Sequence, residues 1–231
     1  MKVTVANSGS DGNGYAVKTS TGILLIEAGV PAKEMLQTIE YKTAEVNGCI
    51  VSHVHRDHAK YIASYLKYGF PIFMTPESMG DTPVPEIYRH KQNQIGKYTV
   101  VPFRVPHNET ACDGFLISHK EFGKLLFVTD AEMCTFNMSK VGINHVMVEC
   151  NYSLDYLDVT EVNKDHILQG HMELQTCKKF LRTIYTDHLK SIGLIHLSQV
   201  NADPVRFQKE IAEEFPRCKV WVAEKNKTIV L

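Results

Sequence analysis

Three imidazoles and one carboxylate fall within six positions in the segment Ser52-His53-Val54-His55-Arg56-Asp57-His58. Zinc and similar divalent ions take nitrogen and oxygen donors of this kind. The apolar run Asn47 to Val51 leads into the segment and reads as a short strand. Side chains alternate along an extended chain, so His53 and His55 point the same way. Asp57 and His58 then fall in a turn and can face a second ion. A solvated loop with chance histidines is the plain alternative, and it does not explain four donors at this density.

One cluster cannot saturate two ions, so remote donors are required. His107 follows a strand pattern over Val100 to Val105, Asp130 follows one over Leu125 to Val128, and His196 ends one over Ile192 to Ile195. All three sit where a strand gives way to a loop, the usual place for functional groups on a rigid scaffold. Seven donors are too many for one tetrahedral zinc. The pattern therefore points to two divalent ions, Zn2+ or Mn2+. Cys112 and Cys150 lie beside these residues, but the seven donors suffice without a thiolate.

The elements that must position these residues can be read from periodicity and turn chemistry. Strands are expected at Lys2 to Ala6, and at Gly14 to Lys18 and Ile23 to Glu27, the last two forming a hairpin about Ser20-Thr21-Gly22. A helix starts near Pro31, with Met35, Leu36 and Ile39 on one face. A second helix follows the histidine cluster and carries Ala59, Ile62, Ala63 and Leu66. Short strands are expected at Ile72 to Met74, Tyr98 to Val105, Gly114 to Ser118, Lys124 to Val128 and His145 to Glu149. Pro102 favours an edge position for its strand. The polar stretch Thr75 to Gly96 reads as a surface loop. A helix from Glu173 to Leu189, a strand from Ser191 to Leu197, a helix capped by Asp203 and opened by Pro204, and strands at Trp221 and Ile229 to Leu231 complete the chain. There is no repeat and no linker, so one domain is expected over residues 1–231, with two sheets and helices outside them.

The 231 residues are 44% hydrophobic and 22% charged, with a net charge of −1. This is an ordinary globular composition. It excludes a generally basic surface of the kind that coats nucleic acid, but not an enzyme that grips one phosphodiester through metal ions. The six cysteines form no CxxC pair. The N-terminus runs straight into a strand pattern, and no apolar run approaches the ~20 residues that span a bilayer. A soluble, cytoplasmic protein with reduced thiols is expected.

The order HxHxDH, single His, Thr-Asp and late His resembles the metallo-β-lactamase superfamily. The opening Ser8-Gly9-Ser10-Asp11-Gly12-Asn13 and the closing His196-Leu197-Ser198-Gln199-Val200-Asn201 resemble its WalJ/YycJ-type branch, related to tRNase Z and RNase J. The resemblance implies a four-layer αββα sandwich. It implies that His53, His55 and His107 hold one ion, that Asp57, His58 and His196 hold the other, and that Asp130 bridges them. Glu149-Cys150-Asn151 and Gly170-His171-Met172 resemble the segments that give tRNase Z-like enzymes a carboxylate-supported histidine near the leaving group. Asp57, His171 and Glu149 are thus the candidate catalytic residues, although His171 could instead cap the helix that follows it. The chain departs from the family in having Glu27-Ala28-Gly29 for Asp-Ala-Gly. It also has no room for the inserted domain of RNase J-type enzymes, and no obvious tRNA-gripping arm.

The expected activity is phosphodiester hydrolysis by a nuclease acting on DNA or RNA. The alternatives are a phosphodiesterase for cyclic nucleotides or other small molecules, and a catalytically silent module that binds a nucleotide or a partner. The loop Ser8 to Gly14 is expected to be structural and near the metals, Arg89-His90-Lys91 to be a solvated basic loop, and His119, His145, His166 and His188 to be structural.

Overall fold

The computed structural model describes residues 1–157 and 164–231, with side chains for all of these but 164–166. Two sheets face each other. The first has strand order β13-β1-β2-β3-β4-β5 and the second β12-β11-β10-β9-β8-β7-β6. The first is built from β1 (Lys2–Asn7), β2 (Gly14–Thr19), β3 (Gly22–Ile26), β4 (Val46–Ile50), β5 (Ile72–Phe73) and β13 (Thr228–Val230). The second is built from β6 (Asn93–Ile95), β7 (Tyr98–Val105), β8 (Cys112–His119), β9 (Gly123–Val128), β10 (His145–Glu149), β11 (Ser191–Ile195) and β12 (Lys219–Val222).

Alternation of side chains along the strands divides the apolar residues among three layers of core. Between the sheets, Val5, Tyr15, Val17 and Leu24 meet Phe115, Phe127, Met147 and Trp221. Outside the first sheet, Leu25, Cys49 and Ile72 pack on α1 (Ala32–Thr38) and α3 (Ile62–Lys67) through Met35, Leu36 and Tyr65. Outside the second, Leu126, Val148 and Leu194 pack on α5 (Leu174–Ile184) and α6 (Pro204–Glu214) through Leu181, Phe207 and Ile211. The layers therefore run helix, sheet, sheet, helix.

Several expectations change in detail. The helix expected after the histidine cluster is two, α2 (Arg56–Ala59) and α3, separated where the Tyr61 amide leaves the helix to donate to the Ala28 carbonyl. The buried face of α3 is Ile62 and Tyr65, while Ala63 and Leu66 face solvent. The loop 75–96 contains strand β6, which among the described residues pairs with Tyr98 to Val100. At Pro102, β7 is thus the local edge of its sheet, and the missing proline N–H costs no ladder bond. The helix expected to reach Leu189 stops at Ile184, and Leu189 is buried in the connection beyond it. A helix not expected from periodicity, α4 (Lys164–Gly170), precedes His171.

Candidate metal centre

The strand ends of both sheets converge at one edge. β4 delivers Ser52, His53 and His55; β7 delivers His107; β9 delivers Asp130; β10 ends in Glu149; β11 delivers His196. Three of the residues at these ends, Glu27 after β3, Asp130 and His196, have backbone φ of 67°, 45° and 53°. Non-glycine residues in this left-handed region cost on the order of 1–3 kcal/mol each. The fold bears that cost where each strand must turn its next side chain toward the common centre.

The short helix α2 is clamped from behind. The Asn13 amide donates to the Asp57 carbonyl (2.7 Å), and the Ala28 amide donates to the His58 carbonyl (2.7 Å). This contact requires Gly29, where a Cβ would stand 1.6 Å from the Asp57 carbonyl oxygen. Ser52 is held between the sheets: its amide donates to Glu27 Oε2 (3.2 Å), and its carbonyl accepts from the Asp113 amide (3.1 Å).

All seven candidate ligands come together, in two groups that share Asp130. In one, His53, His55, His107 and Asp130 offer donor atoms within 4.8 Å of one another; in the other, Asp57, His58, Asp130 and His196 do the same. Asp130 gives a different oxygen to each. Its Oδ2 lies 3.6 Å from His53 Nε2 and 3.5 Å from His107 Nε2. Its Oδ1 lies 3.3 Å from His58 Nε2 and 3.5 Å from His196 Nε2. Asp57 Oδ2 completes the second group, 3.1 Å from each of His58 Nε2 and His196 Nε2.

Ring partners on the far side fix which nitrogen faces inward. His107 Nδ1 donates to the Gly170 carbonyl (2.7 Å), leaving Nε2 with its lone pair for the centre. The Ser52 hydroxyl meets His53 Nδ1 (2.9 Å), and the Thr110 hydroxyl meets His55 Nε2 (3.1 Å). His58 Nδ1 faces Glu27 Oε1 at 3.5 Å. Such outer partners set tautomer and basicity in metal sites. Cys112 Sγ lies 3.5 Å from His53 Nδ1, behind the ring, and burial pushes its thiol pKa up, so it packs as a neutral group.

The electrostatics belong to a site made for positive charge. Burial lowers the pKa of His53 and His107. Burial also opposes the charge on His58 and His196, but the surrounding carboxylates outweigh it, led by Asp130, and raise His196 to about 10. Burial would raise the pKa of Asp57, yet hydrogen bonds from His196 and His58 push it far below the carboxylate range. His53 Nε2 is fully buried with no hydrogen-bond partner, an expensive state for a ring nitrogen. A divalent ion beside it would satisfy that atom, and two ions would take up the paired donor sets. The residues present fit the two-ion reading.

No family model matches the chain. The exodeoxyribonuclease YycJ of Bacillus anthracis is 27% identical over 222 residues, covering 87% of this chain and 84% of that protein. The metallo-β-lactamase fold protein YhfI of Bacillus subtilis superposes on 99% of this chain and 98% of its own, with a TM-score of 0.77 at 16% identity. The chain has the metallo-β-lactamase fold. Its resemblance to the YycJ and WalJ exodeoxyribonucleases is borne out in sequence, and the human tRNase Z short form shares its fold, with a TM-score of 0.62 at 16% identity over 100% of this chain and 99% of that one.

On this metallo-β-lactamase fold, Glu149 and His171 join the same edge. Glu149 is fully buried; its Oε2 accepts the Ala131 amide (2.9 Å), and its Oε1 meets His171 Nδ1 at 2.7 Å. The same oxygen lies 3.2 Å from His196 Nδ1, a contact the sequence did not suggest. Burial opposes the charge on His171, but Glu149 overcomes it and raises its pKa. His171 does not cap α5: the Glu173 side chain does, accepting from the Gln175 and Thr176 amides.

Asn13 and Asn151 are site residues that reasoning from sequence missed. Asn151 Nδ2 donates to the His196 carbonyl (2.8 Å) and lies 3.2 Å from its Nδ1. Both asparagines sit inside segments that carry the resemblance, which was their only signal. Arg89 differs from expectation: His90 and Lys91 are exposed, but Arg89 turns inward and donates to the buried Asp113 carboxylate. His119 and His145 pair with Thr21 and Ser191 away from the centre, and the His166 side chain lies outside the described residues.

Proposed function

We propose that this chain is a dinuclear metal-dependent phosphodiester hydrolase, one hydrolase domain acting as a nuclease in the cytoplasm, with DNA as its leading substrate. The observation that carries the reading is the division of Asp130, one carboxylate oxygen to each of two histidine-rich donor sets. The likeness to curated exodeoxyribonucleases supports DNA over RNA. Zinc is the first choice of ion for a site this rich in imidazole, with manganese the second.

His53, His55 and His107 would hold one ion, Asp57, His58 and His196 the other, and Asp130 both. When bound, such ions supply Lewis-acid neutralisation of a phosphoryl oxygen and acidify a water. The remaining chemistry is the protein's. An alkoxide leaving group needs a proton, and His171 stands at the centre's rim with its Nδ1 committed to Glu149. Its other ring nitrogen, Nε2, would exchange the proton, while Glu149 steadies the imidazolium.

The test is a panel of end-labelled single- and double-stranded DNA and RNA, with added zinc or manganese. Release of nucleotides from DNA, abolished in Asp57→Ala and His58→Ala, is the expected result. Cleavage of small phosphodiesters alone would favour the small-molecule enzyme. No turnover with both ions bound would favour the silent binding module.

A further inference from the structure

The residues of the second donor set come from both sheets, and the loop between β1 and β2 ties them together. Asn13 in this loop is fully buried. Its Oδ1 accepts from the Gly9 amide (2.9 Å) and from the Tyr15 hydroxyl (3.2 Å). Those two donors fix the orientation of the side-chain amide. Its Nδ2 therefore points at the Gly9 carbonyl (3.1 Å), Asp57 Oδ2 (3.3 Å) and His58 Nε2 (3.1 Å).

The chain continues in the other direction. The Tyr15 hydroxyl lies 2.7 Å from Ser8 Oγ, and Ser8 Oγ accepts from the His196 amide at 2.8 Å. A backbone N–H can only donate and an amide oxygen can only accept. The direction of every bond is thereby set. The His196 amide donates to Ser8, the Ser8 hydroxyl donates to Tyr15, the Tyr15 hydroxyl donates to Asn13 Oδ1, and Asn13 Nδ2 donates to the second donor set. Asn13 has two amide protons, and Gly9 takes one. Once His58 Nε2 gives its lone pair to an ion, the other is left for Asp57, whose Oδ2 (3.3 Å) stands beside its carbonyl oxygen (3.4 Å).

Asp57 needs this support. Its side chain is 21% exposed, on a four-residue helix with no side-chain cap, so burial alone does not fix its rotamer. The first donor set is oriented by different groups, the Ser52 hydroxyl, the Gly170 carbonyl and the Thr110 hydroxyl, none of which belongs to this chain of bonds.

We infer that Asn13 is a positioning residue for the Asp57, His58 and His196 half of the centre, and that the directed Ser8–Tyr15–Asn13 chain sets the affinity of that half alone. This rests on the two-ion reading above. Outer partners of metal ligands typically contribute roughly 10- to 100-fold in affinity.

The experiment is calorimetric titration of metal-free protein with zinc, for wild type, Asn13→Ala and Tyr15→Phe, with thermal unfolding of the metal-free forms alongside. Tyr15→Phe removes only the hydroxyl and keeps the ring on Phe127, 5.6 Å away between centroids. The expected result is two ions in wild type, with one affinity unchanged in the variants. The other should fall about 10-fold in Tyr15→Phe and further, toward 100-fold, in Asn13→Ala. In a His58→Ala background, Asn13→Ala should have no further effect on the ion that remains. Unchanged affinities in Asn13→Ala overturn the inference. So does an equal loss of both ions with a lowered unfolding temperature, which would make the loop a general support of the fold. A wild type that binds fewer than two ions overturns the two-ion reading itself, before any variant is compared.

Discussion

His171 shares Glu149 with His196, and it joins Asp130, Glu149 and His196 in a third group of donor atoms within 4.8 Å of one another. Its ring stacks 5.4 Å from His196 and its Nδ1 meets Glu149, while the inward nitrogens of His53, His58, His107 and His196 all face Asp130. A general acid should be dispensable when the leaving group needs no proton. His171→Ala is therefore expected to retain both ions and to lose about 10²–10⁴-fold in rate on DNA, with a much smaller loss on a nitrophenyl phosphodiester. Equal losses on the two substrates, measured as kcat/KM, would assign His171 to substrate positioning. Glu149→Gln should show the same pattern more weakly, with some loss of metal, because Oε1 also reaches His196. At this scale the sequence was most informative where donors cluster: His53 to His58 announce themselves by density. His107, Asp130 and His196 are single residues, legible only as positions after strands and through the family order. Asn13 and Asn151 left no separate trace, since an asparagine's task depends on where its amide is turned.

At the scale of elements, the centre depends on how strands and helices end. α5 starts two residues after Met172 and is capped by Glu173, whose carboxylate accepts two of the unpaired first-turn amides. Glu173→Ala should cost about 1 kcal/mol of stability, the usual cost of removing a cap, read from chemical denaturation. It should also lower turnover on DNA more than on a nitrophenyl substrate, because the cap adjoins the His171 ring and the Met172 amide, both of which bond Glu149. A stability loss with no change in turnover would separate the cap from the site. Most strands were legible from their apolar runs, and α6 from Asp203 and Pro204, since capping and periodicity are local signals. Three features were not. β6 is three residues long, with Ile95 its one apolar residue, and it forms a strand by pairing with Tyr98 to Val100. The break between α2 and α3 comes from the Tyr61 amide reaching Ala28, a contact between residues 33 positions apart. α4, with the sequence KDHILQG, has only two apolar residues, Ile167 and Leu168, adjacent in the chain, so no helical period shows.

For the molecule as a whole, two sheets pack face to face so that strand ends from both open on one edge. The two donor sets straddle them: Asp57 and His58 follow the first sheet, His196, His107 and Asp130 the second. The layered fold was legible from strands, helix and strands in sequence, together with the motif order. The place of Asp130 between two sets of imidazoles was legible only through the family order, because the register that puts it there is fixed by packing between sheets. Among the described residues no helix is long and apolar enough to cross a membrane. A net charge of −1 gives no general attraction for a polyanion, so a phosphodiester would have to be held by a local patch or by the ions of the centre. The account stands on two divalent ions being held there. Elemental analysis of protein purified without chelator, then equilibrated with zinc or manganese and freed of excess metal, measures this directly. The account predicts two ions per chain, falling in His58→Ala and in His55→Ala; a wild-type count below two after loading with either metal would contradict it.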